Sequence, residues 1–158
     1  MHYHSWSNMR KVLETDRLCP ALRGRVTYFM TCYHDAHDDE GRFCIRVDGR
    51  EYLNSHQWNH YDSAGNYRTP AQHDRDGSFC QCQALKAIYI YLDELTIDEA
   101  LTSDSALIRL LAVLDRRVGK RRMPQLAEDM RGEPEWLQFF YRLRLEAEGI
   151  PVKEAACG

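Results

Sequence analysis

Residues 42–53, Arg42-Phe43-Cys44-Ile45-Arg46-Val47-Asp48-Gly49-Arg50-Glu51-Tyr52-Leu53, decide the fold class of this chain. From 42 to 47 the side chains alternate, with Phe43, Ile45 and Val47 on one side and Arg42, Cys44 and Arg46 on the other. A period of two belongs to a strand. Asp48-Gly49 then reads as a two-residue hairpin turn, because both central positions of a type I′ turn need positive φ. Tyr52 and Leu53 lie on the returning strand. Upstream, Val26 to Tyr33 is rich in β-branched and aromatic residues and supplies a third strand. The expected product is a small three-stranded antiparallel sheet.

Away from this hairpin the period changes to that of a helix. Trp6 to Leu18 places Trp6, Met9, Val12 and Leu13 on one face and ends before Pro20. Residues 59–77 form a polar connection containing Asn59, Asp62, Gly65, Pro70, Asp76 and Gly77. Beyond it, Ser78 with Gln81 and Thr96 with Glu99 have capping-box spacing. Leu85, Ile88, Tyr89 and Leu92 form one apolar stripe, and Leu107, Leu110, Leu111 and Leu114 a second. Pro134 suits a first helical turn. It is followed by an aromatic face of Trp136, Phe139, Phe140 and Leu143, and Gly149 closes the helix as a glycine C-cap. The expected fold is α+β, a single domain over 1–151. It has a strand-rich part at 1–58, a helical part of four or five helices at 78–151, and a frayed tail at 152–158.

Composition bounds the function. The chain has 158 residues, 44% of them hydrophobic and 11% aromatic, which suffices for a core. Its formal net charge of −3 argues against a generic nucleic-acid binder, which is usually basic overall. No stretch approaches the roughly 20 apolar residues of a membrane span. Met1 to Trp6 shows no basic region followed by an apolar run, so no signal peptide is expected. The expected location is cytoplasmic, where disulfides are rare. Cys19, Cys32, Cys44, Cys80, Cys82 and Cys157 are accordingly read as reduced thiols.

Several motifs resemble a family of small bacterial proteins of uncharacterised function. They are Trp6-Ser7, Leu22-Arg23-Gly24-Arg25-Val26, Asp48-Gly49-Arg50-Glu51, Leu114-Asp115-Arg116-Arg117-Val118-Gly119-Lys120-Arg121, and Leu143 through Gly149. The resemblance spans nearly the whole chain. It implies one cytoplasmic domain and brings no activity, substrate or cofactor with it.

The strongest functional feature is the run 116–122, in which Arg116, Arg117, Lys120, Arg121 and Arg122 are basic and none is acidic. It follows an apolar helical segment expected to continue to about Gly119. On such a helix Arg117 points to the apolar side and needs a carboxylate, since a buried unpaired charge is costly. Glu146 and Glu148 of the last helix are the expected partners, with Asp115 nearer in sequence. Arg116, Lys120, Arg121 and Arg122 are expected to be exposed and to form an anion-binding patch, in which arginines grip carboxylate or phosphate in a bidentate fashion. An acidic protein is the expected partner and nucleic acid the alternative. The order helix, three strands, helix echoes the double-stranded-RNA-binding module, by fold analogy alone.

A competing site lies at 34–40, His34-Asp35-Ala36-His37-Asp38-Asp39-Glu40. His34, His37, Asp38 and Asp39 have the chemistry to hold a divalent metal that activates water for hydrolysis. Their spacing matches no standard ligand set, so the weight falls on the basic run. Cys80-Gln81-Cys82 is too closely spaced for a zinc knuckle, yet a thiol at a helix start has a lowered pKa. The chain carries no phosphate loop, nucleophile elbow or dinucleotide fingerprint. The expected role is a non-catalytic interaction or regulatory protein with no cofactor.

Overall fold

The computed structural model describes residues 5–31, 41–55 and 64–151. His34, His37, Asp38 and Asp39 lie outside the described residues, as do the first part of the polar connection and the tail at 152–158. The architecture is α+β. Helix α1 (Trp6–Lys11) leads through a widened π-helical segment (Val12–Arg17) into the antiparallel strands β1 (Val26–Thr31), β2 (Arg42–Val47) and β3 (Arg50–Ser55). Six helices follow: α2 (Pro70–Asp76), α3 (Gln81–Asp93), α4 (Ile97–Leu101), α5 (Ala106–Val113), α6 (Ala127–Arg131) and α7 (Glu135–Ala147). No helix among the described residues is long and apolar enough to cross a membrane.

The strands pair in the order β1-β2-β3. Asp48 and Gly49 both have positive φ, 51° and 84°, as the hairpin turn requires. Phe43, Ile45 and Val47 face the core as the alternation predicts. Cys44, on the opposite face, is equally buried. Its cross-strand partner Phe29 is covered by two arginines: the Arg42 and Arg46 guanidiniums lie 5.0 and 4.4 Å from the centre of the Phe29 ring, and Arg42 pairs with Glu51 at 2.5 Å. The outer face of the sheet therefore carries a cation–π lid where simple alternation predicts open polar surface.

The β2–β3 ladder slips between Phe43 and Ile45, so two residues of β3 oppose Cys44 alone. Leu53, inside this bulge, has φ +53°, a left-handed conformation that costs a non-glycine residue about 1–2 kcal/mol. Its side chain lies over Gly77, where an added Cβ would come within 2.6 Å of Leu53 Cδ2. Gly77 (φ +66°) also caps α2, so turn geometry and close packing both require glycine there. Helix α2 itself lies within the stretch read as a polar connection. It is held by a capping box between Thr69 and Gln72, and the Trp136 indole N–H of α7 donates to the Asp74 carbonyl at 2.9 Å.

The core is one apolar cluster shared by sheet and helices, with Leu107, Leu110, Leu111 and Val113 of α5 at its centre against Ile88 and Tyr91 of α3 and Phe140 of α7. On the far side Tyr52 of β3 stacks on Phe139 at 4.7 Å, joining the hairpin to α7. The Thr96–Glu99 capping box opens α4 as its spacing predicts. The box that opens α3 lies two residues later than predicted, at Cys80 and Gln83, with a thiol in place of a hydroxyl. Helix α7 ends in a Schellman turn: the Gly149 N–H donates to the Glu146 carbonyl and the Ile150 N–H to the Leu145 carbonyl.

Candidate functional site

Helix α5 starts at the Ser105 cap and is apolar along almost its whole length. It stops at Val113, well before Gly119, and 114–122 runs on as tight turns. Two contacts from remote parts of the chain enforce that stop. The segment after α1 forms a β-bridge between Leu18 and Asp115, in which the Cys19 N–H donates to the Leu114 carbonyl (2.9 Å) and the Arg116 N–H to the Arg17 carbonyl (2.7 Å). From α7 comes Arg144, whose side chain is 1% exposed. Its guanidinium donates to the carbonyls of Val113 (2.7 Å), Asp115 (2.8 Å) and Val118, and its Nε pairs with Glu148 at 3.3 Å. The carbonyls left over at the end of α5 are thus taken up by a buried cation, favoured there by the helix dipole.

Asp115 is the second anchor. Its carboxylate is fully buried and accepts from the Arg117 main-chain N–H (2.8 Å), from the Arg117 Nε and Nη2, and from the Tyr91 hydroxyl. Burial first, and then the Asp115 charge, hold the Tyr91 phenol well above its ordinary range. The hydrogen bond to Asp115 likewise raises Arg117 above the usual guanidinium range. Arg117 is therefore an ion-pair residue of Asp115, the nearest of the three carboxylates considered, and not of Glu146 or Glu148. Glu148 pairs with Arg144, and Glu146 is exposed. The reason is the early end of α5: Arg117 sits on a turn and folds back over a carboxylate two residues away.

The remaining cations divide. Arg116 is exposed, and its Nε donates to the main-chain carbonyl of Asp16 at 2.5 Å. That contact fixes the side chain without neutralising it. Arg122 is half-buried and pairs with Asp98 of α4 at 2.5 Å. Lys120 and Arg121 stand in solvent and make no ion pair among the described residues. Arg17, which shares main-chain hydrogen bonding with Arg116, has a buried Nε with no hydrogen-bond partner among the described residues. Linear spacing gives no sign that Arg17 belongs here, since its neighbour Asp16 is 100 residues from Arg116. Arg144 was equally hidden, because an arginine in an apolar helical stripe looks like a surface residue until three carbonyls converge on it.

No group of three or more metal-ligating side chains occurs among the described residues. Neither a curated protein nor a solved structure matches the chain. The motifs Leu114–Arg121 and Leu143–Gly149 meet at the Arg144 junction, and a family model covers this junction together with the sheet. That model matches residues 5–145, and the chain belongs to the SF0329 protein family.

Proposed function

We propose that the protein is a non-catalytic interaction or regulatory protein of the cytoplasm that presents a fixed cationic surface to an acidic protein partner. The surface consists of Arg116, Lys120 and Arg121, with Arg122 at its rim. One observation carries this reading. The turn that bears these residues is anchored by Asp115 and by Arg144, while Lys120 and Arg121 meet no counter-charge among the described residues and Arg116 is steadied by a neutral carbonyl. Rigid presentation lowers the entropy lost when a carboxylate is gripped. The overall charge of −3 favours a protein partner over nucleic acid, which rewards a wide positive field.

The test is fluorescence anisotropy with a labelled polyglutamate peptide and, separately, a labelled RNA duplex, each titrated at low and at physiological salt. Saturable binding of the acidic peptide that is lost in the Lys120→Glu/Arg121→Glu double variant supports the proposal. Tighter binding of the duplex, with an affinity that falls steeply with salt through counterion release, replaces the protein partner with nucleic acid. Binding that the double variant leaves unchanged removes this surface from consideration.

A further inference from the structure

Cys80 and Cys82 form a pair of nucleophiles at the start of α3, away from the basic surface. Their sulfurs are 2.9 Å apart, about 0.9 Å longer than the S–S bond of a disulfide, and both are thiols in this structure. Cys80 is the N-cap of α3 and is 1% exposed. Its sulfur accepts the Gln83 N–H at 3.3 Å, while the Gln83 side chain accepts the Cys80 N–H at 3.0 Å. Cys82, in the first turn, is exposed. It opens onto a groove of about 530 Å³ lined by Trp6, Met9, Met30 and Leu85. Lys86, which follows Cys82 by four residues and so shares its helix face, lines the same groove.

We propose that Cys80 and Cys82 are a dithiol that exchanges with an external disulfide, Cys82 attacking and Cys80 resolving. The roles follow from position. The attacking sulfur must meet the incoming disulfide, so it has to be the exposed one, and Cys82 is exposed while Cys80 is buried. Only Cys82 can be reached from solvent. Cys80, shielded, lies within reach of the Cys82 sulfur and of no incoming molecule. Cys80 stands at an N-cap, where serine, threonine, aspartate and asparagine are the usual residues, and its sulfur takes their place as acceptor of the Gln83 N–H.

The exchange balances without a further reactant. The Cys82 thiolate attacks one sulfur of a disulfide RSSR′. A Cys82–S–R bond forms, the substrate S–S bond breaks, and R′S⁻ departs and takes a proton from water. Cys80 gives its proton to solvent and attacks the Cys82 sulfur. The Cys80–Cys82 bond closes and RS⁻ leaves and is protonated. Two protein thiols are oxidised and one disulfide is reduced to two thiols. Disulfides in cytosolic proteins are mostly transient ones of this catalytic or sensing kind, which fits a dithiol poised to close where the other described cysteines, Cys19 and Cys44, are buried thiols.

Trypsin provides a direct readout, because cleavage after Arg75 and Lys86 yields a peptide, residues 76–86, holding Cys80 and Cys82 and no other cysteine. The full chain is equilibrated in mixtures of reduced and oxidised glutathione, quenched in acid, alkylated, digested and weighed. The expected result is a form of this peptide two hydrogens lighter and carrying no alkyl group, which grows with the oxidised fraction. In Cys80→Ser, whose serine preserves the cap, exchange should stop at the mixed disulfide. Glutathione on Cys82 should then accumulate severalfold above wild type. Cys82→Ser should gather no adduct on the shielded Cys80. Full alkylation of the wild-type peptide at every glutathione ratio would overturn the proposal. So would equal adduct on the two single variants.

Discussion

Two adjoining halves of one basic run are used in opposite ways. In 113–118 the charges of Asp115 and Arg117 are answered from inside: Asp115 takes Arg117 and the Tyr91 hydroxyl, and Arg144 takes three carbonyls and Glu148, while Arg116 at the surface is held by the Asp16 carbonyl alone. In 119–122 Lys120 and Arg121 face solvent, and Arg122 reaches only the largely exposed Asp98. The inner stretch holds Arg116 and Arg117 beside Asp115, and the outer one Lys120, Arg121 and Arg122 with no acidic residue. What separates them is the Leu18–Asp115 bridge, which carries one half into the core and lets the other turn outward. The difference teaches that basic residues in a row form a binding surface only where no buried carboxylate or carbonyl claims them first.

Removing Arg144 should break the inner half most severely. Arg144→Leu leaves three carbonyls without their donor and strands the nearly buried Glu148, a class of change that costs about 3–5 kcal/mol. Urea unfolding followed by far-UV circular dichroism should show the midpoint falling accordingly. A loss below about 1 kcal/mol would mean that the junction behaves like surface, and the contrast between the two halves would collapse.

Tyr91 offers a gentler and pH-dependent probe of the same half. Tyr91→Phe removes one hydrogen bond to a charged group and should cost about 1.5–3 kcal/mol. Because the folded phenol titrates well above its unfolded value, the stabilisation it carries is complete below about pH 10 and is lost as the pH rises through the folded value. Wild-type stability, measured by denaturant titration between roughly pH 9 and 11, should therefore fall more steeply than that of the variant. Parallel curves would show that the Tyr91 proton is not held by burial and Asp115.

The same two halves show where sequence reasoning reaches and where it stops. The hairpin was legible because alternation and Asp48-Gly49 are local signals that depend on two or three neighbours. Helix α7 and its Schellman end were legible for the same reason. The end of α5 was not: the leucine stripe 107–114 runs smoothly toward Gly119, and only contacts from Leu18 and Arg144, distant in the chain, stop the helix at Val113. Misplacing that end misplaced Arg117, and with it the expected pairing with Glu146 and Glu148. The short helix α2 was hidden in polar residues, although Thr69-Pro70-Ala71-Gln72 has the pattern of a capped start. Cys44 was placed on an open face because alternation does not reveal two arginines folding over Phe29.

On the outer half the effects on stability should be small, and that smallness is informative. Arg122→Gln removes the pair between a half-buried arginine and the exposed Asp98 and should cost at most about 1 kcal/mol in urea unfolding. Lys120→Glu/Arg121→Glu should shift stability least of all, within about 0.5 kcal/mol, since neither side chain has an internal partner to lose among the described residues. A marked loss of stability would mean that these cations complete a carboxylate cluster of the protein's own, and the surface would then be structural on both halves. Unchanged unfolding together with lost polyglutamate binding would separate recognition from folding in adjacent residues of one turn. That separation is what an anchored but uncompensated cationic surface requires.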